Sequence, residues 1–374
     1  FYVAFYNGEL VVSLAETQSV SSSAMKNITR PSTGEHRPVF PLHTEGPHIV
    51  DADGHTMRLN CIGWPKSEEI GAPGGLHARH IDWLIKTVSD AGFNCVRLVF
   101  SLELILDNPA RVVGDAHKIL AANPELLEKS PLEILDITVE KLSQAGLIVV
   151  LNIHTLSFIS CCKMDEGDSL WYSTHHDGAP RKTYTEMQFF EGVRRVARRY
   201  KHNPFVAGFD LKNEPRPSVS STHYTTPTWG GGDPLTDWYL AARHASLLVR
   251  EENEDMLIIV SGMNFGQYLC DVPKRPLHLD PSLQGKIIYE THNYVWFVIP
   301  IVAREFVKTH GDVFALGNAV YTVSVSSVFL VWLMLKRSGA ESKDSSFANG
   351  WAMISERAVA TVFSLIAGLS CLAW

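Results

Sequence analysis

Short apolar runs that alternate with amphipathic helical stretches constrain the fold of this chain more than any other feature. The runs are Met57 to Gly63, Asn94 to Phe100, Leu147 to Ile153, Phe205 to Leu211, Met256 to Ser261 and Lys286 to Thr291. Helical periodicity falls between them, near His77 to Ala91, Leu132 to Gln144, Glu186 to Tyr200 and Leu235 to Glu252. In Ala91-Gly92-Phe93 and Ala145-Gly146-Leu147 a glycine stands where a helix stops and the next strand begins. Nearly continuous apolar strands alternating with helices mean a parallel sheet covered by helices. A doubly wound sheet shares this rhythm, but no glycine-rich phosphate loop follows the first strand. The polar residues gather where strands end, which is the pattern of a (β/α)8 TIM barrel. The expected α/β fold is such a barrel, incomplete in that six βα units are clear and strands seven and eight are not identifiable.

At 374 residues, 45% hydrophobic and 20% charged, the chain has a globular composition. A formal charge of −7 with no Lys/Arg run argues against nucleic acid as a partner. Residues 1–45, rich in Ser, Thr and Pro, read as a poorly ordered leader, with the natural N-terminus and any signal peptide expected upstream of Phe1. Residues 46–297 read as the barrel, expected to be monomeric and to need no cofactor or metal. Residues 298–374 depart from the pattern. Within them Val313 to Leu335 carries no charge and is followed by Lys336-Arg337. That run is long enough for a membrane anchor that would leave the barrel outside the cell or on its surface. Its β-branched stretch Val320 to Val325 reads equally as the seventh strand. A mis-joined segment replacing the last two βα units is the third reading. Cys61 and Cys95 are expected to be small buried hydrophobes, and Cys161-Cys162, in a polar loop, to form the disulfide, with Cys270 as a further partner. Asn27-Ile28-Thr29 is a glycosylation sequon that matters only in an exported chain.

The chemistry concentrates at strand ends. The run Phe205 to Leu211 leads into Lys212-Asn213-Glu214-Pro215. A buried strand that delivers an Asn-Glu pair to its C-terminal end presents a general acid over a substrate. Arg97 lies in the second run, His154 closes the third, and His292-Asn293-Tyr294 closes the sixth. A barrel gathers these ends around one pocket. The aromatics Trp64, Trp171, Trp229 and Trp296 stand in loop-like contexts, where stacking on a sugar ring and core packing are both open and core packing is the commoner use. A lone His at each strand end, without clustered partners, is a poor metal site.

These residues resemble glycoside hydrolase family 5, the cellulase-like barrel enzymes, from about Gly46 to Phe297. The resemblance is carried by Asp51 to Trp64, by Gly92 to Leu98, by Leu147 to His154, by Leu211-Lys212-Asn213-Glu214-Pro215, by Thr291-His292-Asn293-Tyr294 and by Trp229-Gly230-Gly231-Gly232. It implies a retaining hydrolase of β-linked glucan or a related glycoconjugate. Glu214 would be the acid/base and Asn213 would bond the sugar 2-hydroxyl. Arg97 and Tyr294 would hold the nucleophile ionised. His154 and His292 would line the central subsite, with Trp64 beside it. The family's nucleophile is a Glu at the end of the seventh strand in a Gly-Glu-Phe-Gly-like setting, and no such element follows Tyr294. Glu305 follows too closely for a crossover, and Glu341 and Glu356 lie in polar, helix-like contexts. Glu290 shares the inward face of its strand with His292, one layer deeper, where a protonated or paired core group is expected. The nucleophile therefore stays unassigned, and a catalytically inactive, membrane-tethered glycan-binding relative is the alternative.

Overall fold

The computed structural model describes residues 37–178 and 181–292, together with the backbone of the strands Val3–Tyr6, Glu9–Val12 and Ala319–Val323. Seven strands form one sheet: β1 Cys61–Trp64, β2 Cys95–Ser101, β3 Ile148–Thr155, β4 Val206–Asp210, β5 Leu257–Ser261, β6 Ile287–His292 and β7 Ala319–Val323. They lie side by side in chain order, and every neighbouring pair is parallel. The sheet curls into an incomplete barrel, as the β/α rhythm predicts.

Four helices cover its outer face: α1 Ile81–Asp90, α2 Pro131–Gln144, α3 Glu186–Arg199 and α4 Trp238–Glu252. Their starts are written locally. Ser130 and Glu133 form a capping box on α2, as do Thr185 and Gln188 on α3, each satisfying amides that the first turn leaves open. Asp237 caps α4 and also accepts from the amides of Gly230 and Gly232, so one carboxylate fixes both the helix start and the Trp229 loop. Gly92 and Gly146, with φ of +86° and +76°, turn the chain from α1 into β2 and from α2 into β3.

Period-two alternation divides the strand residues between two cores. Val96, Leu98, Val149, Leu151, Phe209, Ile258, Val260 and Tyr289 face the helices. Cys95, Ile148, Val150, Ala207, Leu257, Ile259 and Ile288 pack with Leu42 and Ile49 in the barrel interior. Ile49 lies in, and Leu42 directly precedes, a small antiparallel sheet, His43–Glu45, His48–Val50 and Thr56–Met57, which closes the N-terminal end. Lys286 ties that closure to the barrel by donating to the carbonyls of Leu42 at 3.0 Å and Asp255 at 2.9 Å. One layer further along the strands the interior becomes polar, at Arg97, Asn152, Asp210 and Glu290.

Three expectations are corrected here. Cys61 and Cys95 are bonded to each other; they are register partners on β1 and β2, close enough to bond as well as pack. Cys161 is joined to its neighbour Cys162, and Cys270 is also disulfide-bonded. Trp64 is not a stacking surface, because the sheet–helix layer buries it and its indole N–H donates to the Gly74 carbonyl at 2.9 Å. Trp171 and Trp229 are buried as well. Within the uncharged run 313–335, Ala319–Val323 is a strand paired with β6 from Ile288↔Ala319 to His292↔Val323, which fits a barrel segment and not a membrane helix. No helix among the described residues is long and apolar enough to cross a membrane.

The Cys61–Cys95 bridge closes a loop with a sequence separation of 34 residues and staples the edge strand β1 to β2. Replacing both by Ser is expected to lower unfolding stability by about 2–4 kcal/mol, mainly by freeing the unfolded chain. Urea denaturation of the double variant measures it, and an unchanged midpoint would show that β1 is held without the bridge.

Candidate active site

Past the end of β4 the chain leaves the sheet through Leu211 to Pro215. The Asn213 amide still bonds the Ile153 carbonyl at 2.9 Å, which keeps the segment beside β3. Glu214 then takes a left-handed backbone, φ +46°. Such a conformation costs on the order of 1 kcal/mol for a residue with a side chain and persists only where neighbours over-determine it. Buried Arg216 supplies that restraint by donating from Nη1 to the Glu214 carbonyl at 3.2 Å while its Nε and Nη2 hold the Lys163 carbonyl. Lys212, also buried, donates to the carbonyls of Asn213 at 3.0 Å and His154 at 3.3 Å. Burial pushes its ammonium down to about 8.

These restraints aim the side chains inward. Arg97 reaches across from β2, placing Nε 3.0 Å and Nη2 2.5 Å from Asp210 Oδ2. The same Nη2 donates to Asn213 Oδ1 at 2.9 Å and so sets the amide of the residue before Glu214. Asn213 Nδ2 faces the sulfurs of Cys161 and Cys162 at 3.4 and 3.3 Å. His154 Nδ1 pairs with Asn152 Oδ1 at 2.7 Å, and Asn152 Nδ2 donates to Asp210 Oδ2 at 2.8 Å. From β6, His292 Nδ1 meets Glu214 Oε1 at 2.6 Å, and its Nε2 lies 3.4 Å from Glu290 Oε1. Glu290 Oε1 is also 3.5 Å from Arg97 Nε.

The electrostatics separate the two histidines. Burial, reinforced by Arg97 and Lys212, holds His154 well below the usual imidazole range, so it is neutral. Burial also opposes charge on His292, but Glu290 and the hydrogen bond to Glu214 raise it to about 10. A neutral ring and an imidazolium thus stand in one buried cluster.

Arg97, His154, Asn213, Glu214 and His292 are therefore brought together as the strand-end pattern predicts, and Trp64 is not. Tyr294, Trp296, Glu305, Glu341 and Glu356 lie outside the described residues. The pattern missed Asp210 and Asn152, polar groups inside otherwise apolar strands. A carboxylate in a fully buried run is rarely left without a structural or chemical role, and that was the available signal. Ligand atoms of His154, Cys161 and Cys162 lie within 4.8 Å of one another. With the two sulfurs joined, no thiolate is present to coordinate a metal.

Fold and site together define a parallel β/α barrel whose fourth strand delivers an Asn-Glu pair into a buried Arg, His and carboxylate cluster. The cellulase model, glycosyl hydrolase family 5, matches residues 50–301, and the chain belongs to that family. It is 31% identical over 265 residues to an endoglucanase of Paenibacillus polymyxa, covering 67% of this chain and 59% of that protein. It is 33% identical over 221 residues to the major extracellular endoglucanase of Xanthomonas campestris pv. campestris, covering 58% and 39%. The chain thus spans less than two thirds of these relatives' length. The catalytic domain of the Xanthomonas protein superposes with a TM-score of 0.61 at 26% identity, covering 75% of this chain and 80% of that one. A hyperthermophilic endocellulase of Pyrococcus horikoshii shares the fold with a TM-score of 0.62 at 24% identity, covering 75% and 79%.

The His292 contacts predict its titration. Because its folded value is raised, its contribution to stability is full below about pH 6.5 and is lost as pH rises toward 10. Nitrogen-15 NMR should find both ring nitrogens protonated at pH 7, with a lower midpoint in Glu214→Gln. A neutral ring at pH 7 would contradict the arrangement.

Proposed function

We propose that the protein is a retaining glycoside hydrolase acting on β-linked glucan, with Glu214 as acid/base. The carrying observation is the 2.6 Å contact between Glu214 Oε1 and His292 Nδ1, beside an Asn213 amide fixed by Arg97. His292 Nδ1 holds the proton at that contact; it passes to Glu214 Oε1, which delivers it to the leaving glycosidic oxygen. Water returns it in the second step, when Glu214 acts as base. Asn213 stands next in the chain, where an amide can follow the sugar 2-hydroxyl as charge develops on the ring. The family membership and the endoglucanase relatives support β-glucan as the substrate class. The disulfides and a relative described as extracellular support action outside the cell.

Retaining hydrolysis needs a second carboxylate roughly 5 Å from the first. Glu290 does not fill that role, because it is fully buried beneath His292 and ion-paired with Arg97. The nucleophile would come from beyond residue 292. A mechanism-based 2-fluoroglycoside should leave a covalent sugar on a peptide C-terminal to His292, found by mass spectrometry. Oligosaccharide binding without any adduct or turnover would overturn double displacement and favour a glycan-binding role.

Glu214→Gln removes the carboxylate that takes up and passes on the proton, and keeps the shape. Release of reducing sugar from soluble β-glucan is expected to fall by about 10²- to 10⁴-fold. Undiminished release would sink the assignment of Glu214.

A further inference from the structure

Asp210 is fully buried on β4 at the centre of the polar layer, and nothing in the hydrolytic reading uses it. Its two oxygens have different surroundings. Oδ2 receives Arg97 Nε, Arg97 Nη2 and Asn152 Nδ2, at 3.0, 2.5 and 2.8 Å. Oδ1 receives no hydrogen bond among the described residues, and Glu290 Oε1 has only the longer ion pairs to Arg97 and His292, although the side chains of Asp210 and Glu290 are within hydrogen-bond reach of each other. Arg97 Nε is shared by Asp210 Oδ2 and Glu290 Oε1, but Oδ1 meets Glu290 with no donor, and two buried carboxyl groups in contact there are stabilised when one is protonated. The surroundings choose which one. Glu290 stands between two cations, with Arg97 Nε at 3.5 Å and His292 Nε2 at 3.4 Å. An acid at Asp210 keeps a carbonyl oxygen at Oδ2 for its three donors and frees Oδ1 to donate.

We propose that Asp210 is a positioning residue that works as a neutral carboxylic acid, donating from Oδ1 to Glu290 while Oδ2 holds Arg97 and Asn152. Two consequences reach the sugar site. The Arg97 fork is fixed, and through its Nη2 the Asn213 amide. The Asn152 amide is also oriented, so that its oxygen accepts His154 Nδ1–H and leaves Nε2 as the bare nitrogen. The charged and titratable groups around Asp210 are Arg97 from β2, Glu290 and His292 from β6, buried Lys212 just past β4, and beyond Asn152 on β3 the neutral His154; Ile259 is its register partner on β5. With Asp210 neutral, Glu290 carries the negative charge that faces Arg97 and His292. Burial and the neighbouring Glu290 act in the same direction, raising Asp210 above the ordinary carboxylate range, while Arg97 and His292 hold Glu290 below it despite its burial.

The test compares Asp210→Asn, which keeps one donor and one acceptor, with Glu290→Gln and Asp210→Leu. Infrared spectra at pH 6 should show the carbonyl stretch of a buried protonated carboxyl group in the wild type and lose it in Asp210→Asn. A retained proton stabilises fully below about pH 4 and less as pH rises through the raised folded value, so the melting temperature of the wild type should fall more steeply with pH than that of Asp210→Asn. Nitrogen-15 NMR should show His154 as the Nδ1–H tautomer in the wild type and Asp210→Asn, and as a mixture in Asp210→Leu. Loss of the infrared band in Glu290→Gln instead, or a wild type without the band, would overturn the proposal, as would an unchanged His154 tautomer in Asp210→Leu. The protonation and tautomer readouts need no turnover. The expected effect on rate, a drop of about 10²-fold in β-glucan hydrolysis by folded Asp210→Leu, rests on the hydrolase reading and fails separately with it.

Discussion

Arg97 carries a charge that deprotonation cannot remove, and the barrel buries it. Everything in the polar layer follows from that constraint. The guanidinium must be surrounded by acceptors on several strands at once, so β2 becomes tied to Asp210 on β4 and Glu290 on β6, and beyond β4 to Asn213. Those acceptors are acids or amides that carry further bonds, and the bonds lead to His154 and to the His292–Glu214 pair. Leaving any acceptor out would strand a buried charge, so the layer holds together as a set. The catalytic candidate Glu214 sits at the rim of this set and takes its orientation from it.

The layer is affordable because the rest of the barrel is built conventionally around it. Below it, apolar side chains from five strands pack with Leu42 and Ile49, and the small N-terminal sheet seals that end. Outside it, the helices cover the sheet through a continuous apolar layer. Local signals fix the helix boundaries, while Arg216 and Lys212 hold the irregular exit from β4 through main-chain carbonyls. An unusual backbone at Glu214 and a rigid support beneath it therefore belong together, as expected where a side chain must point against its preferred conformation.

Much of this was legible in the chain. The alternation of apolar runs with capped amphipathic segments specified a parallel β/α architecture, because strand and helix periods differ and each demands its own burial. The strand-end positions of His154, Asn213-Glu214 and His292, with Arg97 inside the second run, specified that they would converge. The burial of Trp64 was not legible, because an aromatic after a strand looks the same whether a helix covers it or solvent does. The Cys61–Cys95 bond was equally hidden, since two cysteines become partners only when register brings β1 beside β2.

By itself, then, the sequence determined the fold class and the set of side chains that meet at the barrel mouth, since both follow from local periodicity and the order of strands. Only the tertiary structure decided their chemical states. His154 is neutral and His292 charged because each sits among different residues from distant strands, and Asp210 meets Glu290 across a sequence gap that no local pattern spans. Protonation depends on burial and on neighbouring charge, and both exist only once the strands have closed around the site.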